Sequence, residues 1–154
     1  MDKNVKLSTD ERFQKATSEQ PVIPEKFTDL KEEKLWLRQE IERQFPSVNQ
    51  FAQHCYMSHS HLYDFFNKTK RISYDKMIII CIVLGYDTEQ IKSMLERFQL
   101  GTLYMENERI CIIIQALHEA DLQGLKQRQR LDYVESRLLD RNIQTLVKNK
   151  SSKI

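Results

Sequence analysis

Apolar residues recur at helical spacing along most of this chain, with charged and polar residues between them. In the segment 29–45, Leu30, Leu35 with Leu37, Ile41 and Phe45 mark one face of an amphipathic helix. The same kind of pattern predicts further helices at about residues 47–55, 58–67, 73–84, 87–98, 107–118 and 121–142, the last of them interrupted near Gly124.

Residues that favour helix ends stand at the expected boundaries. A serine, threonine or aspartate before a helix can accept a hydrogen bond from a free backbone N–H of the first turn. Gly85 suits the left-handed conformation that often follows a helix. The predicted N-caps are Thr28 or Asp29, Ser47, Ser58, Ser73, and Asp87 or Thr88.

The apolar run MIIICIVL, residues 77–84, is rich in β-branched residues and could form a buried strand. It lies, however, inside a capped segment of helical length, and the chain has only three glycines and three prolines for tight turns. We therefore predict an all-α fold. Eight residues are also too few for a bilayer span, which needs about 20.

Composition indicates an ordinary cytoplasmic domain. The 154 residues carry 24 basic and 22 acidic side chains, a net charge of +2, which neither requires nor excludes a nucleic acid partner. The three cysteines are odd in number and widely spaced, which favours small buried thiols in a reducing compartment. The N-terminus lacks the apolar core of a signal peptide. The pattern divides the chain into a flexible arm (1–27), a first helical domain (28–100), a helical extension (101–146) and a basic tail (147–154).

The segment 47–67 has the pattern of two short helices joined by a tight turn, as in a helix-turn-helix. Ala52 is small enough for the two helices to approach closely. Phe51, Met57, Leu62 and Phe65 are expected to face inward. Ser58 caps the second helix, which leaves its N-terminus free to point at a groove in DNA.

The outward face of that second helix carries polar residues that can reach base edges, and a basic loop follows it. Lysine and arginine in such a loop can grip phosphates, which positions a protein without reading sequence. The predicted DNA-binding residues are Ser58, His59, Ser60, Tyr63, Asn67, Lys68, Lys70 and Arg71.

These features resemble a known family. The elements FAQHC, MSHSHLYDFF, the basic loop NKTKRIS and the apolar helix ending in LGYD are similar to the Cro/C1-type (XRE-like) helix-turn-helix domain of Gram-positive bacteria and their phages. The resemblance implies a five-helix domain of the lambda-repressor-like type, with its second and third helices reading DNA. The continuation GTLYMENERICIIIQALHEADL resembles a helical extension found in some of these proteins.

The chain departs from the family pattern at two places. Tyr56 stands in the turn where the family usually has glycine, so it must adopt a positive φ or the turn must differ. The second helix has no lysine or arginine and contains Asp64. Modest affinity per monomer is therefore expected, and a homodimer would strengthen binding.

The residues give little support to a metal site or an enzyme. His54, Cys55, His59 and His61 include the ligand types that zinc prefers, but they lie within eight residues rather than in two separated pairs, so no metal is expected. No phosphate loop, nucleophile elbow or HExxH sequence is present, and neither an enzyme nor a cofactor is expected. The arginines 128, 130, 137 and 141 are expected on a solvated face of the last helix.

The sequence thus predicts a cytoplasmic, sequence-specific DNA-binding protein, a transcriptional regulator, that binds double-stranded DNA as a homodimer and uses the helix at about residues 58–67. Its C-terminal helices could bind a protein partner. The alternative is a protein–protein adaptor on a degenerate helix-turn-helix scaffold without DNA binding.

Overall fold

The computed structural model describes residues 30–148, and the predicted arm at residues 1–27, the first helix's cap and residues 149–154 lie outside them. Within that range the protein is all-α. Its helices are α1 (Leu30–Gln44), α2 (Val48–His54), α3 (His59–Asn67), α4 (Tyr74–Leu84), α5 (Thr88–Arg97), α6 (Glu108–Leu122) and α7 (Gln127–Asp140).

The predicted serine caps are confirmed by their hydrogen bonds. The hydroxyl of Ser47 accepts from the N–H of Gln50 at 3.1 Å, and that of Ser58 accepts from the N–H of His61 at 3.1 Å. Ser73 caps α4 in the same way. Each bond satisfies a backbone donor that the helix itself leaves without a partner.

The boundary between α4 and α5 is also as predicted. Gly85 ends α4 in the left-handed conformation, with φ of 88°. Asp87 then caps α5 in a reciprocal capping box with Gln90.

Helix α4 forms the centre of the molecule. Every residue from Met77 to Leu84 is buried, which explains why this β-branched run shows no polar face. A single hydrophobic core extends from Leu37 in α1 to Val147 beyond α7, so the C-terminal helices share a core with the first five. No helix within residues 30–148 is both long and apolar enough to cross a bilayer.

Helices α6 and α7 form a hairpin that packs against α4. The predicted break near Gly124 is confirmed, and Gly124 has φ of 74° in the turn between them. Leu131, Val134 and Leu138 of α7 are fully buried, so this apolar stripe packs within the chain. Leu139 is 50% exposed because it lies one residue, or about 100°, away from Leu138 on the helix.

The prediction that Arg130 lies on a solvated face is wrong. Its side chain is 2% exposed. The guanidinium donates to the carbonyls of Ile82 at 2.7 Å and Tyr86 at 2.8 Å, and it forms an ion pair with Asp121. These carbonyls lie at the C-terminal end of α4, where a helix leaves its acceptors without partners, and a positive charge is favourable there.

The buried face of α1 differs from the predicted one. Leu37, Ile41 and Phe45 are buried as expected, but Leu30 and Leu35 are about half exposed. Lys34 takes the buried position three residues before Leu37. Helical geometry places residues three or four apart on the same face, which puts Leu35 beside the stripe rather than on it.

The chain after α7 docks back onto the core. Leu146 and Val147 are buried, and their backbone N–H groups each donate to the carboxylate of Glu135 at 2.8 Å. Glu135 is itself 1% exposed. The docked segment therefore includes Val147, which sequence patterning had assigned to the basic tail.

The cysteines differ in exposure. Cys55 and Cys81 are buried as predicted, and burial raises the pKa of both thiols. Cys111 is partly exposed instead, because it follows the buried Ile110 on α6 and so leaves the core-facing side of the helix. Its thiol donates to the carbonyl of Met105 at 2.8 Å.

Candidate nucleic-acid interface

Helices α2 and α3 are joined by a four-residue turn, residues 55–58. Ala52, fully buried on α2, faces the approach of α3, and its carbonyl accepts from the N–H of Met57 at 2.9 Å. Tyr56 has φ of 56°, so of the two alternatives that the sequence leaves open at this position the positive φ is the one found. The turn thus keeps its tight geometry with a tyrosine in it.

The side chain of Tyr56 reaches the C-terminal helices. Its hydroxyl donates to the carboxylate of Asp132 on α7 at 2.8 Å. The guanidinium carbon of Arg128 lies 6.0 Å from the centre of the tyrosine ring. Through these two contacts, α7 supports the turn that precedes α3.

Helix α3 has two distinct faces. Leu62 and Phe65 are buried against the core, whereas His59 and Ser60 are exposed and Tyr63 is 50% exposed. The rings of His59 and Tyr63 are neighbours, with centroids 6.2 Å apart. All eight residues that the sequence predicts to contact DNA lie on the surface.

Asn67, at the end of α3, is held by the protein itself. Its amide nitrogen donates to the carbonyl of Tyr63 at 3.1 Å, and its amide oxygen accepts from Arg38 at 3.4 Å. A bidentate contact to adenine needs both groups of the amide. Asn67 must release these two bonds before it can read a base, whereas His59 and Ser60 are exposed in the first turn of α3.

The basic loop follows α3 directly. Lys68 forms an ion pair with Asp64 at 3.3 Å, one helical turn earlier, which offsets part of its charge. Lys70 and Arg71 are exposed and have no ion pair with any residue in the described range 30–148. These two side chains therefore present the clearest positive charge beside α3.

Lys34 holds this loop in place, and sequence reasoning did not identify it. Its ammonium group donates to the carbonyls of Lys68 at 3.1 Å and Lys70 at 3.2 Å, and it lies 4.7 Å from the centre of the Phe65 ring. Burial lowers the pKa of the Lys34 ammonium. The available signal was its spacing, three and seven residues before Leu37 and Ile41, which indicates the buried face of α1.

The four residues that suggested a zinc site are dispersed. The Nδ1 of His54 bonds the carbonyl of Gln50, Cys55 lies in the core, and His59 points outward. His61 lines a cavity of about 440 Å³ between the turn, the start of α4 and residues 146–148. Within residues 30–148 no three histidine, cysteine or acidic side chains are arranged to hold a metal ion.

The electrostatics of His61 reflect its partial burial. Its Nε2 atom is enclosed and has no hydrogen-bond partner within the described structure. Loss of solvent lowers the pKa of this imidazole, and the nearby Lys76 lowers it further. The neutral form is therefore favoured at the start of α3.

Comparison of the chain with protein-family models, with curated proteins and with solved structures finds no match.

Proposed function

We propose that this chain is a sequence-specific DNA-binding protein, a transcriptional regulator built on a lambda-repressor-like helix-turn-helix. Helix α3 would enter the major groove with its first turn leading. His59, Ser60 and Tyr63 would approach the base edges, and the loop that follows would contact the phosphate backbone.

The observation that carries the proposal is the arrangement of α3. Its inner face, Leu62 and Phe65, is fully buried, and its outer face consists of polar and aromatic side chains with Asp64 as the one charged residue of the helix. The hydroxyl of Ser58 caps an N-terminus that lies at the surface. A helix with a fixed inner face and a polar outer face of this kind suits insertion into the major groove.

The basic loop supports a separate role in positioning. Lys70 and Arg71 are exposed, and the bonds from Lys34 fix the backbone that carries them. A loop held in one conformation loses less entropy when it binds, which favours affinity. Phosphate contacts here would set the orientation of α3 without contributing to sequence choice.

A homodimer belongs to the same proposal. The net charge of +2 and the absence of lysine and arginine within α3 predict weak binding by one copy. Two copies would place their α3 helices in successive major grooves, about 34–36 Å apart. The exposed leucines Leu122 and Leu139 lie on the C-terminal helices, to which we assign contact with a second copy or a protein partner.

Binding to a random-sequence duplex, measured at several salt concentrations, tests the proposal. Replacement of Lys68 and Lys70 together by alanine is expected to weaken binding and to reduce the log–log salt slope by up to about 1.8, or about 0.9 for each phosphate contact. Lys92→Ala, an exposed lysine of α5 outside the proposed interface, is the matched control and should leave the slope unchanged. An unchanged slope in the double variant would show that this face does not meet DNA.

Base readout is tested separately with a selected binding site. His59→Ala or Ser60→Ala is expected to relax the preference at one base position by about 1–3 kcal/mol while leaving the salt slope unaltered. A uniform loss of affinity for all sequences would contradict a reading role for these residues.

A protein–protein adaptor is the second candidate, and the charge of α3 favours it. The helix carries Asp64 and no cation, and Asp64 pairs with Lys68. Tyr63, half exposed on the same face, is the type of aromatic residue that anchors protein interfaces. If the wild-type protein fails to retard duplex DNA even at low salt, this function replaces the first.

A further inference from the structure

Lys34 is a buried cation whose contacts within residues 30–148 are with neutral groups. It is 8% exposed, and its ammonium group meets two backbone carbonyls and the face of the Phe65 ring. No carboxylate lies within ion-pair distance of it in the described part of the chain. Buried charges are normally paired, because removing an ion from water is costly. Lys34 therefore lacks an ion-pair partner within residues 30–148.

A pocket of about 270 Å³ opens beside Lys34. It lies between the start of α1, the basic loop and the end of α5. Four of the lining residues are cations and one is an acid, so their formal charges sum to 4 − 1 = +3. The charged lining residues are Lys34, Lys70, Arg71, Arg97 and Glu33.

Apart from Gln99, the uncharged part of the wall is apolar and partly aromatic. Phe65 and Phe98 lie in contact, with ring centroids 5.9 Å apart, and both line the pocket with Ile72. Charged groups focused by low-dielectric walls attract counter-ions more strongly than the same groups on an open surface. The pocket thus combines concentrated positive charge with a partly apolar wall.

We propose that this pocket binds a phosphoryl group. A phosphate brings more than one negative charge and several acceptor oxygens, which matches two guanidinium groups and two ammonium groups better than a single carboxylate does. The phosphoryl group can belong to a small phosphorylated molecule or to the backbone of a nucleic acid, and both carry the same recognition chemistry. The inference depends on the pocket and not on DNA binding by α3.

Titration of the full-length, DNA-free protein with inorganic phosphate tests the inference. Backbone amide chemical shifts are followed by NMR, with chloride at matched ionic strength as the reference salt. The amides of Ile72 and Phe98 are expected to shift and to saturate with phosphate, whereas chloride should leave them in place. Shifts that do not saturate, or that chloride reproduces, would overturn the proposal.

Two variants and one control locate the binding. Lys34→Met and Arg97→Gln are each expected to weaken phosphate binding about tenfold, since each removes a charge-assisted contact. Arg97→Gln changes a partly exposed side chain and keeps the test valid if Lys34→Met fails to fold. Lys92→Gln removes one positive charge from the same helix as Arg97, outside the pocket, and should bind phosphate like the wild type. Equal affinity in all three variants would refute the site.

Addition of a random-sequence duplex then identifies the source of the phosphoryl group. If the duplex displaces phosphate and Arg97→Gln weakens the binding of both phosphate and duplex, the pocket holds a backbone phosphate. If phosphate stays bound, the pocket serves a small phosphorylated molecule. If the protein binds phosphate but no duplex, the phosphoryl site is supported and the proposed DNA-binding function is refuted. If it binds the duplex but no phosphate, the DNA-binding function is supported and the phosphoryl site is refuted.

Discussion

The hydroxyl of Tyr56 donates a hydrogen bond to Asp132 across 2.8 Å, which joins the turn before α3 to the C-terminal hairpin. Tyr56 holds a left-handed conformation that disfavours bulky residues. The contact with Asp132, and the guanidinium of Arg128 over its ring, give the tyrosine interactions that glycine could not make. The C-terminal helices therefore act directly on the element that positions α3.

Tyr56→Phe tests this connection, because it removes the hydroxyl and keeps the ring. The expected cost in the free energy of unfolding is about 0.5–1.5 kcal/mol, toward the lower end because the side chain is 40% exposed. Chemical denaturation of this variant, of Asp132→Ala and of the double variant gives the coupling energy between the two residues. Tyr63→Phe is the control, since Tyr63 also lies at the surface, and it should change stability by less than about 0.5 kcal/mol. Strictly additive effects would show that the bond contributes nothing.

Arg130→Ala is expected to be strongly destabilising. It would leave the carbonyls of Ile82 and Tyr86 buried without this donor and would open a cavity at the C-terminal end of α4. The expected loss is about 3–5 kcal/mol, measured by urea denaturation. Arg141→Ala, an exposed arginine just after α7, should lose less than about 0.5 kcal/mol. A small loss for Arg130→Ala would contradict its role as a clamp on α4.

Glu135→Gln is expected to loosen the docked C-terminal segment. The carboxylate accepts from both Leu146 and Val147, and an amide can replace only one of its two acceptor oxygens. We expect a loss of about 1–3 kcal/mol and faster amide hydrogen exchange at these two residues. If exchange at Leu146 and Val147 matches that of the wild type, the carboxylate does not hold this segment.

His61 is expected to make stability depend on pH below its ordinary pKa of 6.5. Because burial lowers its pKa in the folded state, the unfolded chain binds a proton at a higher pH than the folded chain does. The stability from this group is complete above pH 6.5 and is lost as the pH falls through the lowered folded-state pKa. The groups that act on the ring are Lys76, Lys70 and Asp64.

Thermal denaturation of wild type and His61→Gln across this pH range checks the effect. The difference in melting temperature between the two proteins should change as the pH is lowered. For His59→Gln, at an exposed position on the same helix, the difference in melting temperature from the wild type should instead stay constant across this pH range. A constant difference between wild type and His61→Gln would exclude the effect.

Local signals in the sequence predicted the helices well. Serine or aspartate caps at Ser47, Ser58, Ser73 and Asp87 match observed hydrogen bonds, and Gly85 adopts its predicted conformation. These features can be predicted from the sequence because each depends on residues within four positions of one another. The inner and outer faces of α3 followed from helical periodicity for the same reason.

Contacts between residues far apart in the sequence could not be predicted in this way. The sequence assigned Arg130 to solvent, because an arginine near an apolar stripe is usually exposed. The burial of Lys34, a charged residue on an apolar face of α1, was not predicted from the sequence. The nearer of the two carbonyls that Lys34 binds is 34 residues away along the chain. The nearer of the two carbonyls that Arg130 binds is 44 residues away.

The sequence by itself determined an all-α chain, the capped ends of its helices, and an α3 with Phe65 inside and Tyr63 outside. Only the tertiary structure decided that Asn67 is held by Arg38, that Lys34 fixes the basic loop, and that Tyr56 is braced by α7. Helix formation depends on residues close in the sequence, and the buried face of a helix shows as a periodic pattern of apolar residues. The partners of a buried charge depend on how whole helices pack, which residue spacing along the chain does not encode.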